Sequence, residues 1–127
     1  MPVEAVVVDA SALAALLFGE PAGPKVAALL EGRALFAPTL LRYEVASVCL
    51  KKEREEPHKK KELRLALSLL SGLRIQEVQV SAEGMVAVAE ETSLTAYDAG
   101  YLWLARELRV RLVTLDGRLI AASAENG

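Results

Sequence analysis

The sequence predicts an α/β fold built on a parallel sheet, from three observations. Short apolar runs rich in β-branched residues recur along the chain. Helical stretches with their own start and stop signals separate them. The order strand, helices, strand, helices, strand, helix, helix, strand, helix suits parallel strands joined by right-handed crossovers.

Val3 to Val8 is a short apolar, β-branched run ending at Asp9, as expected of a strand buried on both faces. Ala10 to Phe18 reads as a helix with Asp9 or Ser11 as its cap, stopped by Gly19. A second helix is expected over Pro21 to Leu30, with Val26, Leu29 and Leu30 inward and Gly32 as its stop. Ala34 to Ala37 is a second short strand, bounded by Pro38. Thr39 is placed to cap a third helix from Leu40 to about Leu50, extending toward the charged run. That helix carries only Arg42 and Glu44 as charges, and two residues apart they lie about 200° apart around the axis. One solvated face does not easily hold both.

Pro57 is expected to break the helix within KKEREEPHKKKELR. Leu63 to Leu73 is predicted helical, with Leu67, Leu70 and Leu73 on one stripe, ending around Gly72. Ile75 to Val80 is the third strand, and Ser81 with Glu83 opens a helix over Ala82 to Glu91. In LTAYDAGYLWLA, Thr95 starts a helix whose apolar stripe runs through Tyr97, Tyr101, Leu102, Leu104, Ala105 and Leu108. Core or interface packing is expected for Tyr97, Tyr101 and Trp103. Gly100 in mid-helix costs roughly 1 kcal/mol against alanine and suggests close packing there. Arg111 to Leu115 is the fourth strand, and Leu119 to Ala124 a last short helix or tail.

With 127 residues the chain is expected to be one domain, residues 1–127, with a real core. A single cysteine, Cys49, excludes a disulfide framework and a Cys-based zinc site, and a single histidine, His58, argues against a His-based one. Cys49 is expected as inert core and His58 as a solvated loop residue. There is no signal-peptide pattern and no uncharged apolar stretch near the roughly 18 residues of a membrane span. A cytoplasmic protein is the expectation. Net charge is −2, but Lys51 to Arg64 holds seven Lys/Arg against four Glu. Such a run is a solvated helix end or a phosphate-contacting edge, with Lys51, Lys52, Lys59, Lys60 and Lys61 as the candidate phosphate contacts.

The chain has three aspartates, Asp9, Asp98 and Asp116, and each falls where a helix begins. Asp9 and Asp116 follow predicted strands, so both would project from the carboxyl edge of the sheet, where open α/β folds bind ligands. Asp98 lies in the first turn of the helix leading to the fourth strand, and Glu44 near the start of the third helix. All four can converge on one rim. Crowded carboxylates repel one another and demand a proton or a cation. Mg²⁺ or Mn²⁺ suits oxygen ligands and can activate water for attack on a phosphodiester. Ser11 and Thr114, each two residues from an aspartate, can orient carboxylates or waters, or simply tie down turns.

Each acid also has a plainer role. Asp9 and Asp116 would serve as helix caps or turn residues. Thr95 and Asp98 have capping-box spacing. Glu44 would be a solvated helix residue. Singly these roles are the commoner ones; together they require every aspartate in the chain to be a cap.

The segments VVVDASALAALL, TLLRYEVASVCL, LTAYDAGYLWLA and LVTLDGRL resemble, in order and spacing, the four acidic motifs of the PIN domain. The size and the Asp-x-Ser opening resemble the stand-alone VapC-type toxins of prokaryotic toxin–antitoxin pairs. The resemblance implies a three-layer fold, with a central parallel sheet of four or five short strands flanked by helices. It implies a metal-dependent endoribonuclease acting on RNA, with Asp9, Glu44, Asp98 and Asp116 as the quartet that holds Mg²⁺ or Mn²⁺. It further implies a homodimer and inhibition by a small antitoxin. Two features depart from the family: the chain ends soon after the last motif, and Gly100 stands where alanine is usual.

Three other functions compete with this one. A phosphoacceptor signalling domain would want a lysine at the end of a late strand, and none follows Lys61. A non-catalytic RNA- or protein-binding module would leave clustered carboxylates idle. A housekeeping RNA-processing nuclease has the same chemistry as a toxin, and a neighbouring antitoxin gene would separate the two.

Overall fold

In the computed structural model, residues 3–125 are described. Four parallel strands form one sheet: β1 (Ala5–Val8), β2 (Ala34–Pro38), β3 (Ile75–Val78) and β4 (Arg111–Val113), in the order β3-β2-β1-β4. Seven α-helices surround it among the described residues: α1 (Ala10–Leu17), α2 (Gly23–Leu30), α3 (Leu41–Glu55), α4 (Lys60–Ser68), α5 (Ala82–Thr92), α6 (Ala96–Leu108) and α7 (Gly117–Glu125). Val6, Val7 and Val8 are consecutive and all 0% exposed. Successive strand residues face opposite ways, so helices must cover both faces of the sheet. α6 lies across β1, β2 and β4 and carries α5 and α7 beside it; α1 packs on α2 and α3, and α3 on α4.

Successive strands run outward from β1 to β2 to β3, and the chain then returns to place β4 on the other side of β1. This reversal opens a crevice beyond the carboxyl ends of β1 and β4. Asp9 immediately follows β1 and donates its backbone N–H to the Val113 carbonyl of β4 at 3.1 Å. Register pairs Val8 with Val113, so both strands stop at the same level.

Local signals account for most boundaries. The Asp9 side chain caps α1 by accepting from the Ala12 N–H, Ser81 caps α5 and Thr95 caps α6. Gly19 and Gly32 adopt φ of +66° and +74°, a conformation glycine takes without steric cost. Pro57 ends α3 at Glu55 and opens a 3₁₀ turn.

Several boundaries differ from the sequence expectation. Thr39 does not cap α3; the helix starts after Leu40 without a side-chain cap. It runs to Glu55, because the charged run is itself a good helix former. α4 starts at Lys60, earlier than expected, and gives way to a 3₁₀ turn at Leu69–Gly72. Leu67, Leu70 and Leu73 still face the main core. β3 and β4 are shorter than expected, and Val80 and Leu115 lie beyond them.

Cys49 is buried inside the α3–α4 contact, and burial pushes its thiol up, with Glu53 adding to the effect. Glu53 is itself buried and is paired with Arg64 of α4. His58 is exposed. No helix among the described residues is long and apolar enough to cross a membrane.

Gly100 is not tightly packed. A Cβ there would meet Met85 at 3.6 Å and Leu40 at 3.8 Å, ordinary contact. The close approach is at Gly84 of α5, where a Cβ would overlap the Trp103 indole of α6. Gly100→Ala should therefore raise stability by about 0.5–1 kcal/mol through helix propensity. Gly84→Ala should lower it by roughly 1–3 kcal/mol through overpacking. Thermal melting of the two variants checks the pair; equal and opposite assignments would refute this account of the α5–α6 contact.

Candidate functional site

Four chain segments bring acids to the crevice. Asp9 comes from the end of β1, Glu44 from the first turn of α3, Asp98 from the first turn of α6, and Asp116 from the turn between β4 and α7. All four line one cavity of about 650 Å³, together with Ala10, Ser11, Leu40, Tyr43, Ser47, Val48, Tyr97 and Tyr101. Arg42 and Glu44 are reconciled by facing opposite ways. Glu44 turns into the cavity, while Arg42 turns outward to pair with Glu77 at 3.0 Å.

Asp9 is only 3% exposed. Its Oδ1 accepts from Ser11 Oγ at 2.7 Å and from the Ala12 N–H at 3.0 Å, and its Oδ2 accepts from Thr114 Oγ1 at 2.6 Å. Both hydroxyls are in turn acceptors. Ser11 Oγ receives the Leu115 N–H and Thr114 Oγ1 the Asp116 N–H, each at 3.0 Å. A hydroxyl has one proton, so these backbone donors leave Ser11 and Thr114 to direct theirs at Asp9. One relay thus runs from the β4–α7 turn through two hydroxyls into the Asp9 carboxylate. Asp116 Oδ1 accepts from the N–H groups of Arg118 and Leu119 at 2.9 and 3.1 Å, which caps α7.

Asp9 and Asp116 are therefore caps as well as cavity residues. The Thr95 hydroxyl accepts from the Asp98 N–H at 3.1 Å. Glu44 has a partner that the sequence reading did not assign: Tyr101 donates its hydroxyl to Oε1 at 2.5 Å. Tyr101 is 1% exposed. It lies three residues after Asp98 and so shares its helical face. That spacing was a signal, but the apolar stripe assigned the residue to the core, where its ring does lie. Tyr97, expected to pack, is 65% exposed at the lip of the cavity. Trp103 is half-buried against α5.

Burial raises Asp9 above the usual carboxylate range against the pull of its three donors, and Asp116 adds a smaller push. Burial also raises Glu44, partly offset by Tyr101, with Asp98 and Asp9 adding repulsion. Asp98 is raised by burial and then by Asp116, with Thr95 and Arg118 opposing. Three acids thus resist ionising together. A hard cation relieves that strain, and an all-oxygen donor set suits one. No group of three or more described His, Cys, Asp or Glu side chains is already arranged as a metal cage. Mg²⁺ does not require one, because it commonly binds through one or two carboxylates and keeps several waters.

The lysines of the charged run lie elsewhere. None lines the acidic cavity. They occupy the far end of α3, the 3₁₀ turn after it and the start of α4, about two helical turns or more from Glu44, roughly 10 Å or more along the axis. Lys52 pairs with Glu20 and Lys59 with Glu56. Lys51, Lys60 and Lys61 are exposed.

Two variants test this electrostatic account. A group whose pKa is raised in the folded state contributes stability below its unfolded pKa, and that contribution is lost as pH rises through the folded value. Without divalent metal, Asp98→Asn should therefore gain on wild type as pH rises from about 4 to 7, despite the small dipole preference for an anion in the first turn of α6. A mutant melting below wild type at neutral pH would leave Asp98 as a cap only. Tyr101→Phe should cost about 1–3 kcal/mol in a denaturant titration, because Glu44 loses its hydroxyl donor.

The PIN domain family profile matches residues 6–125. No functionally curated protein matches the chain in sequence. Among solved structures, PAE2754 from Pyrobaculum aerophilum is similar at 30% identity and a TM-score of 0.67, covering 97% of this chain and 88% of its own. VapC20 from Mycobacterium tuberculosis, a sarcin-ricin loop cleaving toxin, is similar at 18% identity and 0.65, covering 93% and 95%. A toxin–antitoxin complex from Klebsiella pneumoniae is similar at 21% identity and 0.59, covering 92% and 91%. At these lower identities the likeness speaks for the fold. The sheet order, the acidic crevice at its reversal point and a profile match across nearly the whole chain agree, and the chain belongs to the PIN domain family.

Proposed function

We propose that this protein is a metal-dependent endoribonuclease that hydrolyses RNA phosphodiester bonds and is the toxin of a toxin–antitoxin pair. The observation that carries the reading is the convergence of Asp9, Glu44, Asp98 and Asp116, from four separate segments, on one cavity. These four would hold Mg²⁺ or Mn²⁺, directly or through water. Bound there, the ion would polarise a phosphoryl oxygen as a Lewis acid and lower the pKa of water.

The chain's own part is to hold the carboxylates still. Ser11, Thr114 and the Ala12 N–H fix both oxygens of Asp9. Tyr101 fixes one oxygen of Glu44, and the α7 N-terminus fixes one oxygen of Asp116. Charges arranged before substrate arrives need no reorganisation during reaction. Asp9, Glu44 and Asp98 are all raised in the metal-free protein, and a bound cation would favour their charged forms.

The toxin role draws on the VapC20 and toxin–antitoxin likenesses, and it brings with it a small antitoxin partner, a homodimer and a cytoplasmic location. The whole chain, 1–127, would act as a single domain. Lys51, Lys52, Lys59, Lys60 and Lys61 would contact RNA phosphates at a distance from the acids, giving salt-sensitive binding. A second reading is a non-catalytic RNA- or protein-binding member of the fold.

Melting with and without Mn²⁺ and RNA cleavage with and without chelator decide between them. Mn²⁺ at 100 times its dissociation constant should stabilise wild type by about 2.7 kcal/mol, and Asp98→Asn by clearly less. Cleavage should cease in excess chelator. Cleavage that persists would sink the metal mechanism, and a protein that neither binds Mn²⁺ nor cleaves RNA would be the binding module.

A further inference from the structure

Two tyrosines stand at the mouth of the acidic cavity with no packing role that explains them. Tyr43 is 77% exposed and Tyr97 is 65% exposed, yet both line the cavity. Each immediately precedes an acid, Glu44 on α3 and Asp98 on α6. Neighbouring helix residues are about 100° apart, so a helix that turns its acid inward sets the preceding side chain on the rim. The same device therefore occurs twice, on two different helices. Neither hydroxyl has a hydrogen-bond partner among the described residues, unlike the buried Tyr101.

The lining also shows what the rim cannot do. It contains four carboxylates and no lysine or arginine. Arg118 lies near enough to Asp98 to favour its charged form but does not line the cavity, so without a bound cation the four carboxylates dominate and repel a bare phosphodiester. The neutral part of a nucleotide is its base, and an exposed tyrosine ring offers it a stacking surface. In a duplex both faces of each base are already covered by neighbours, so such a surface takes unpaired bases.

We propose that Tyr43 and Tyr97 form a stacking rim that seats unpaired bases of single-stranded RNA on either side of the acidic cavity. This rests on the nuclease reading and assigns the two tyrosines a positioning role in it, with little preference among the bases. The two tyrosines are positioning residues: they hold the strand so that its backbone crosses the carboxylates.

The test uses full-length wild type, Tyr43→Leu, Tyr97→Leu and the matching phenylalanine variants. The probe is a short single-stranded RNA carrying 2-aminopurine, whose fluorescence falls on stacking, with a duplex of the same length as comparison. Binding is read in chelator, and cleavage in Mn²⁺. Each leucine variant should bind the single strand roughly tenfold more weakly and lose part of the quench, while phenylalanine preserves both and duplex binding is unchanged. In Mn²⁺ the leucine variants should raise KM more than they lower kcat. Because both side chains are exposed, melting midpoints should stay near wild type.

Unchanged affinity and quench in the leucine variants would overturn the proposal while leaving the nuclease reading intact, provided Mn²⁺-dependent cleavage persists. Conversion of a wild-type dimer to monomer by either leucine variant, with RNA binding unaffected, would also overturn it and make the rim a protein interface. Wild type that neither stacks nor cleaves RNA would remove both the rim and the nuclease reading.

Discussion

Everything at the carboxyl edge of the sheet is organised by one buried carboxylate. Asp9 ends β1, caps α1, accepts two hydroxyls and ties its backbone N–H to β4. A carboxylate with so little exposure is costly unless hydrogen-bonded, and each donor it recruits fixes another segment. Ser11 pins the start of α1, Thr114 pins the end of β4, and through them the Leu115 and Asp116 N–H groups are held in turn. The turn that presents Asp116 is thus set by the acid it faces.

Holding four acids together opposes folding, and the fold bears that load locally. Asp9, Glu44 and Asp98 are all pushed toward their neutral forms by burial, and each is answered by a hydroxyl from Thr114 and Ser11, from Tyr101, or from Thr95. The rest of the molecule is conventional by comparison. β1 is sealed on both faces, and a second apolar cluster of Val88, Leu94, Ala99, Leu102, Leu119 and Ala122 joins α5, α6 and α7. This stable frame allows a strained, polar crevice at one edge, a division common to sites built on α/β sheets.

The elements and the acids were both legible because their signals are local. β-branched runs, capping residues, Pro57 and the glycines at Gly19 and Gly32 act within a few residues of themselves, and α1, α2, α5 and α6 follow them closely. Sequence and structure part where a local signal competes with a tertiary one. Thr39 has cap chemistry, yet its N–H is engaged with the Val78 carbonyl of β3 and the helix begins two residues later. Gly100 invited an inference of tight packing that belongs to Gly84, because a glycine's neighbours come from another helix.

By itself the sequence determined that an acid follows β1, that another follows β4, and that two more begin α3 and α6, since helix and strand periodicity alone place them. Only the tertiary structure decided that β4 lies beside β1 and not beyond β3. No local pattern encodes strand order, and that order is what sets Thr114 against Asp9. It likewise decided that Tyr101 is buried on Glu44 while Tyr97, four residues earlier on the same stripe, stands in solvent at the rim. Helical period assigns a side chain to a face, and whether anything covers that face depends on helices far away in the chain.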